Sequence, residues 1–360
     1  MTLDAAALLA GPRGRRLCLE YARAAASRAG SRSAQDAATA VGWAQYALEE
    51  GAVAVLVMRS DPDPFTPPRV SPEEAAAALT GISIDTPAWP TLREALAVSV
   101  DTARYWQEPD GADALAATPA FRTALRRVAE VIVAAPDTRW WESPLDLHDQ
   151  WAVAWEGAGR LSADPAGELA AWRVSVADDD ARAGVERPAD PTAPWSGWWW
   201  SIPPHALPRT SRRLGDDGPA GLWFVEDFHG GDEATAVPVD AYPARVIEIG
   251  TPEDWADLCR RHPIDVTASR RHDWYRVTGR DGRWVVPDWS SVAREADGVH
   301  LSVAGYLTAA TRLIEIDHET GSVIAGWNPD ETFWFRGVSA RPADQERWRR
   351  DRDVWRRVGA

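Results

Sequence analysis

The hydrophobic pattern of the chain changes its period at one charged segment, and this change constrains the fold more than any other feature. Before that segment, apolar side chains recur every three or four positions, as they do on one face of a helix. The segment itself, from Ala177 to Pro194, is rich in Asp, Arg and Pro, a composition typical of a linker. After it, short alternating runs typical of strands dominate. The pattern therefore predicts two domains of different secondary structure.

The predicted fold class is α+β, in three parts. A helical N-terminal domain covers residues 1–190, a mainly antiparallel-sheet α+β domain covers residues 191–340, and a basic C-terminal helix covers residues 341–360. In the first domain, Ser71-Pro72 and Ser143-Pro144 are each typical of a helix start, with serine as the cap and proline in the first turn.

Aromatic spacing supports two of these helices. Trp151 and Trp155 are four residues apart and would share a face of the helix that begins at Ser143. Trp348 and Trp355 are seven residues apart within the arginine-rich tail, a spacing that would let one face of a tail helix pack on the protein.

Composition excludes several kinds of chemistry. The chain has 39 basic and 54 acidic residues, a net charge of −15, and every basic residue is arginine. Without lysine it can form no Schiff base and no phosphate contact of the P-loop type. Codon bias in a high-GC genome and selection against lysine modification would each explain the absence.

The sequence indicates a cytoplasmic protein with no membrane partner. No stretch approaches the run of about 18 apolar residues that a transmembrane helix needs, and the N-terminus lacks the charge order of a signal peptide. Cys18 and Cys259 are too far apart in sequence to indicate a disulfide framework or a metal-binding pair, and we predict no metal site.

The block from Asp297 to Tyr306 contains an Asp-x-x-His motif that resembles the C-terminal block of GDSL-type hydrolases. The resemblance implies that Asp297 orients His300 and that His300 activates a serine. The chain has no Gly-Asp-Ser to supply that serine, and its single asparagine, Asn328, follows the block instead of preceding it. A hydrolase is therefore the third of three hypotheses.

Arg212, Ser302 and Glu331 occur in an order that resembles the Arg-Ser-Glu pattern of ADP-ribosyltransferases. The resemblance implies NAD as the cofactor, with Arg212 on the pyrophosphate, Ser302 bracing its strand and Glu331 on the ribose. The chain lacks both the Ser-Thr-Ser triplet and the Glu-x-Glu of that family. The alternative is that these are ordinary residues of a turn, a strand and a surface ion pair.

The third feature is a basic aromatic patch from Ser269 to Trp284, rich in Arg and aromatic residues. We predict that it is a hairpin that turns at residues 280–283. We expect it to bind a small anionic or nucleotide-like ligand through arginine forks and aromatic rings. The predicted ligand-binding residues are Arg271, His272, Trp274, Tyr275, Arg283 and Trp327. The alternative is a set of exposed ion pairs, each worth under about 1 kcal/mol. The net negative charge disfavours long nucleic acid as the partner.

Three segments, LLAGPRGRRLCLE, RRHDWYRVTGRDGRWVVPDW and DGVHLSVAGYLTAATR, resemble an uncharacterised family of actinobacteria. This resemblance implies a cytosolic setting and no mechanism. The leading hypothesis is therefore a protein that binds a small anionic ligand or a protein partner, with no cofactor identified. The alternative hypothesis is an NAD-dependent transferase.

Overall fold

The computed structural model describes residues 2–49, 67–155 and 163–359. Within these ranges, no helix combines the length and the apolar character needed to cross a bilayer.

The chain divides into two compact units. The helical unit comprises Leu3–Ser99 and Glu108–Thr138, and the sheet unit comprises Val100–Gln107 and Arg139–Ala360 with the first two residues. The division therefore lies about fifty residues before the predicted boundary at residue 190.

Seven helices form the described part of the helical unit: α1 (Ala5–Ala10), α2 (Pro12–Ala29), α3 (Arg32–Ala47), α4 (Pro72–Thr80), α5 (Trp89–Asp101), α6 (Gly111–Ala117) and α7 (Pro119–Val133). The predicted start of α4 is confirmed, because the Ser71 side chain and the Glu74 side chain form a complete capping box. Helix α7 buries an apolar stripe that includes Leu125, Val128 and Ile132, and it packs against α1, α2 and α4.

The described part of the sheet unit contains five helices: α8 (Pro165–Glu186), α9 (Pro252–Arg261), α10 (Thr267–Thr278), α11 (Trp289–Val292) and α12 (Val303–Ala309). Its strands are β1 (Gln150–Trp155), β2 (Arg209–Thr210), β3 (Glu233–Asp240), β4 (Val246–Ile249), β5 (Pro263–Asp265), β6 (Arg283–Pro287), β7 (Gly298–Leu301), β8 (Ile314–Glu315), β9 (Thr320–Ser322), β10 (Glu331–Trp334), β11 (Ser339–Ala340), β12 (Glu346–Asp351) and β13 (Val354–Arg357). Short 3₁₀ turns occur at Pro136–Glu142, Gly215–Asp217, Ala220–Leu222 and Pro342–Asp344.

These strands form three small sheets. The first has the order β1-β3-β12-β13, with β11 also paired to β3; the second is β2-β10-β7-β4, and the third is β5-β6-β9-β8. All pairings between named strands are antiparallel except β4 with β7 and β6 with β9. The predicted α+β class, with helices first and mainly antiparallel sheets later, is confirmed.

The predicted C-terminal helix is wrong, because the tail is a hairpin. Strands β12 and β13 pair with each other, and β12 also pairs with β3, where Trp348 stands opposite Ala234. Arg352 turns the chain with φ +56°. Trp348 and Trp355 are both buried, since a hairpin turn between them places them on the same face of the sheet.

Three other local predictions differ from the structure. The segment after Ser143 forms strand β1 instead of a helix, because Trp151, Val153 and Trp155 also fit a period of two and β3 supplies the pairing partner. The predicted linker begins inside α8, which continues to Glu186. The predicted hairpin is helix α10 followed by strand β6; Gly279, with φ +70°, ends the helix.

Candidate functional site

Each of the three residues of the transferase pattern has a hydrogen-bond partner of its own. Arg212 donates from Nε to Asp330 Oδ1 over 2.6 Å, whereas Glu331 pairs with Arg209 Nη1 over 3.5 Å. Ser302 uses its hydroxyl to cap the first turn of α12. The structure therefore gives no support to an NAD site formed by Arg212, Ser302 and Glu331.

His300 is enclosed by carboxylates and is not poised to act as a base. Its Nδ1 lies 2.6 Å from Glu248 Oε2, and its Nε2 lies 3.4 Å from Asp330 Oδ1. Burial alone would lower the pKa of His300, but these two carboxylates outweigh it and raise the pKa to about 9. Asp297, which the hydrolase resemblance pairs with His300, instead accepts the backbone N–H of Arg245. At neutral pH His300 is thus a cation in an ion-paired network.

Residues of the predicted basic patch point in different directions once α10 is formed. Trp274 is fully buried in the core, and His272 is buried as well. Arg271 and Tyr275 are half-buried, and Arg283 lies on β6, where it pairs with a carboxylate of β5. A helix distributes consecutive residues around its axis, so this run does not form one continuous surface.

Trp327 is a core residue. Its ring packs edge-on against Phe333 at 5.3 Å and against Trp289 at 5.8 Å, and its exposed fraction is zero. The side chain is enclosed by other aromatic rings and cannot meet a ligand without a rearrangement of the core.

A different set of tryptophans lines a cavity of about 310 Å³ beside α8. We call it the tryptophan pocket. Its apolar lining consists of Ala171, Trp172, Trp198, Trp200, Ile202, Pro203, Pro204 and Ala206. The remaining side chains that reach it include Glu168, Ser175, His205 and Arg270.

Local structure explains how the three indoles meet. On α8, Glu168, Trp172 and Ser175 are spaced by four and three residues, which places them on one helix face. Trp198 and Trp200 follow in a segment without regular secondary structure, and both line the pocket. The residue between them, Trp199, does not line the pocket; its ring stacks on Tyr105 with centroids 5.2 Å apart and also lies 4.6 Å from the ring of Trp200.

Arg270 supplies the pocket's buried cation. Its exposed fraction is 2%. Nε donates to the Trp200 carbonyl over 3.3 Å, and Nη1 donates to Ser269 Oγ over 3.0 Å. Its Nη2 makes no hydrogen bond to any residue that the structure describes. Burial lowers the pKa of Arg270 to about 10, so the guanidinium stays charged at neutral pH.

The charge of Arg270 is only partly balanced inside the protein. Its nearest carboxylate is Asp179, with Nη1 and Oδ2 3.5 Å apart. Asp179 also pairs with Arg187 over 3.3 Å and with Arg182 over 3.6 Å. Asp180 and Asp273 also act on Arg270 at longer range, and Arg187 opposes them. A further anion at the free Nη2 would add to this stabilisation. The pocket therefore offers apolar walls and one unfilled anion contact.

Arg271 is the predicted ligand contact, whereas its neighbour Arg270, which the sequence pattern did not indicate, lines the pocket. The available signal was the run Trp198-Trp199-Trp200, because three consecutive large rings cannot all point into one core. Because this segment is predicted as a hairpin, the sequence does not indicate that Arg270 and Arg271 point to different sides of a helix.

No cluster of three or more His, Cys, Asp or Glu side chains in the described ranges is arranged to hold a metal ion. Comparison of the chain with models of known protein families, with curated proteins and with solved structures gives no match.

Proposed function

We propose that the protein binds a small ligand with a flat apolar body and a single anionic group, and that the tryptophan pocket is its site. The anionic group would contact Arg270 Nη2, and the apolar body would lie between the indoles. Aromatic side chains bury large apolar surfaces and favour stacked or edge-on rings. A charge-assisted hydrogen bond to guanidinium gives the orientation.

The size of the cavity restricts the ligand. Small-molecule sites usually measure about 300–1,000 Å³, and the tryptophan pocket, at about 310 Å³, is at the lower end of that range. This volume favours a single ring system with a carboxylate or phosphate over a dinucleotide such as NAD. The observation that carries the proposal is the unfilled Nη2 of a buried arginine beside three indoles.

Indole-3-acetate is a suitable probe, since it combines a flat ring with a carboxylate. Isothermal titration should show binding to the native protein, and Arg270→Gln should weaken it by at least about tenfold, because a hydrogen bond to a charged group contributes about 1.5–3 kcal/mol. Circular dichroism of the variant checks that the fold is kept.

Arg271→Gln is the matched control, because Arg271 is the adjacent arginine on the same helix and does not line the pocket. It should leave the affinity unchanged. Equal loss of binding in both variants, or no binding by the native protein, would contradict the proposal. In the second case, the prediction of a protein partner would become the leading hypothesis.

A further inference from the structure

A second cavity, lined by none of the residues of the tryptophan pocket, lies between strand β1 and the start of strand β10. Its volume is about 210 Å³, enough for about seven water molecules at liquid density. Trp151, Val153 and Trp155 line one wall, since alternate residues of β1 point to the same side. Three polar residues also line the cavity: Arg209 on β2, Ser211 directly after β2, and Glu331 at the start of β10.

Glu331 lines this cavity, and one oxygen of its carboxylate has no partner among the described residues. The exposed fraction of its side chain is 12%. Oε1 accepts from Asn328 Nδ2 over 3.2 Å, whereas Oε2 is buried and has no hydrogen-bond partner among the described residues. An unsatisfied buried oxygen is unfavourable, and a donor that reaches it removes the penalty. Burial also raises the pKa of Glu331.

The cavity also holds unused donors. Ser211 Oγ accepts the Gly221 N–H over 2.8 Å, and no described residue accepts its own proton. Arg209 donates from Nη1 to Glu331, and its other N–H groups have no acceptor among the residues described. Donors and acceptors are thus mixed at one surface, which suits hydroxyl groups because each hydroxyl can both donate and accept.

Charge distinguishes this cavity from the tryptophan pocket. Here the cation, Arg209, and the carboxylate, Glu331, are paired with each other, so their charges cancel. A neutral ligand is therefore favoured over an ion. The indoles of Trp151 and Trp155 provide apolar faces on which the C–H faces of a ring can pack.

We propose that this cavity is a second binding site, which takes a neutral hydroxylated ring of monosaccharide size. The ring packs on the β1 tryptophans, and its hydroxyls donate to the Glu331 carboxylate and accept from Arg209 and Ser211. The site is independent of the ligand proposed for the tryptophan pocket.

Saturation-transfer NMR tests the inference with D-glucose, N-acetyl-D-glucosamine and D-ribose as neutral probes. D-glucuronate and D-glucosamine serve as anionic and cationic counterparts. The native protein should transfer saturation to at least one neutral sugar and bind it more tightly than either charged counterpart. Glu331→Ala should weaken this binding by at least about tenfold.

Glu331→Gln keeps the side-chain shape, but Arg209 and Asn328 both donate to Oε1, so the amide oxygen should stay there and an N–H group should replace the other oxygen. Because a sugar hydroxyl can accept from that N–H as well as donate, the variant should retain most of the affinity. Glu315→Ala removes an exposed glutamate that does not line the cavity and should change nothing. Absence of transfer to all three neutral sugars, preference for a charged counterpart, or full binding by Glu331→Ala would overturn the inference.

Discussion

Arg270 and Arg271 are chemically identical neighbours with different environments. Arg270 lines the tryptophan pocket and is 2% exposed, whereas Arg271 is half-buried outside it. A guanidinium in a low-dielectric environment attracts an anion more strongly than one in water. The position on the helix, and not the residue type, therefore determines which arginine can bind a ligand.

A substitution of Glu168 should change the ligand affinity in the opposite direction to a substitution of Arg270. Its carboxylate also lines the tryptophan pocket and should repel an anionic ligand. Glu168→Gln should therefore tighten binding of indole-3-acetate by roughly two- to fivefold, with a larger effect at low salt. Titration at two ionic strengths would measure this. Weaker binding by Glu168→Gln would show that the glutamate contacts the ligand as an acceptor instead.

His300 should make stability depend on pH. Its folded pKa, about 9, lies above the usual value near 6.5, so protonation favours the folded state. The stabilisation, about 3 kcal/mol, is fully present below pH ~6.5 and is lost as the pH rises through about 9. Urea unfolding of the native protein should show this fall. In His300→Gln the fall should be smaller, and an equal fall in both proteins would contradict the assignment.

At the scale of elements, the tail hairpin depends on Trp348 and Trp355, which pack on Leu222, Ala234 and Ala236. Trp348→Ala should lower the free energy of unfolding by about 3–5 kcal/mol, because it removes a large buried side chain. Arg347 is exposed on the same strand, and Arg347→Ala should change it by less than about 0.5 kcal/mol. Similar effects of the two substitutions in urea unfolding would mean that the hairpin does not bury Trp348.

The α+β class and the start of α4 could be predicted because they depend on local patterns. The helix start needs only Ser71 as the cap and Pro72 in the first turn. The secondary structure of β1 and of the tail could not be predicted. The Trp151–Trp155 spacing of four and the Trp348–Trp355 spacing of seven both fit a helix, unless the pairing strand is already known. Strand β3 is that partner for both, and it is distant in sequence.

The candidate sites were less predictable than the fold. Glu331 was selected from the sequence and does line a cavity, but with Arg209 and not with Arg212. Trp274 and Trp327 were predicted as ligand contacts and are buried in the core. Burial of a tryptophan depends on which elements pack over it, and the sequence carries no direct record of that packing.

At the scale of the whole molecule, the net charge of −15 hides local exceptions such as Arg270, a buried cation. The two compact units also allow ligand effects to be localised. Hydrogen exchange with saturating indole-3-acetate should slow in α8 and α10, whose residues line the pocket, and should stay unchanged in α2 and α7. Protection confined to the helical unit would place the site elsewhere.

The central claim is that one anionic group of the ligand is recognised by Arg270 inside an aromatic pocket. Its most direct test is calorimetric titration of the native protein with indole-3-acetate and with indole-3-acetamide, which share the ring and differ in charge. We predict that the carboxylate binds at least about tenfold more tightly than the amide, and that Arg270→Gln abolishes this difference. Equal affinities of the two compounds for the native protein would contradict the claim.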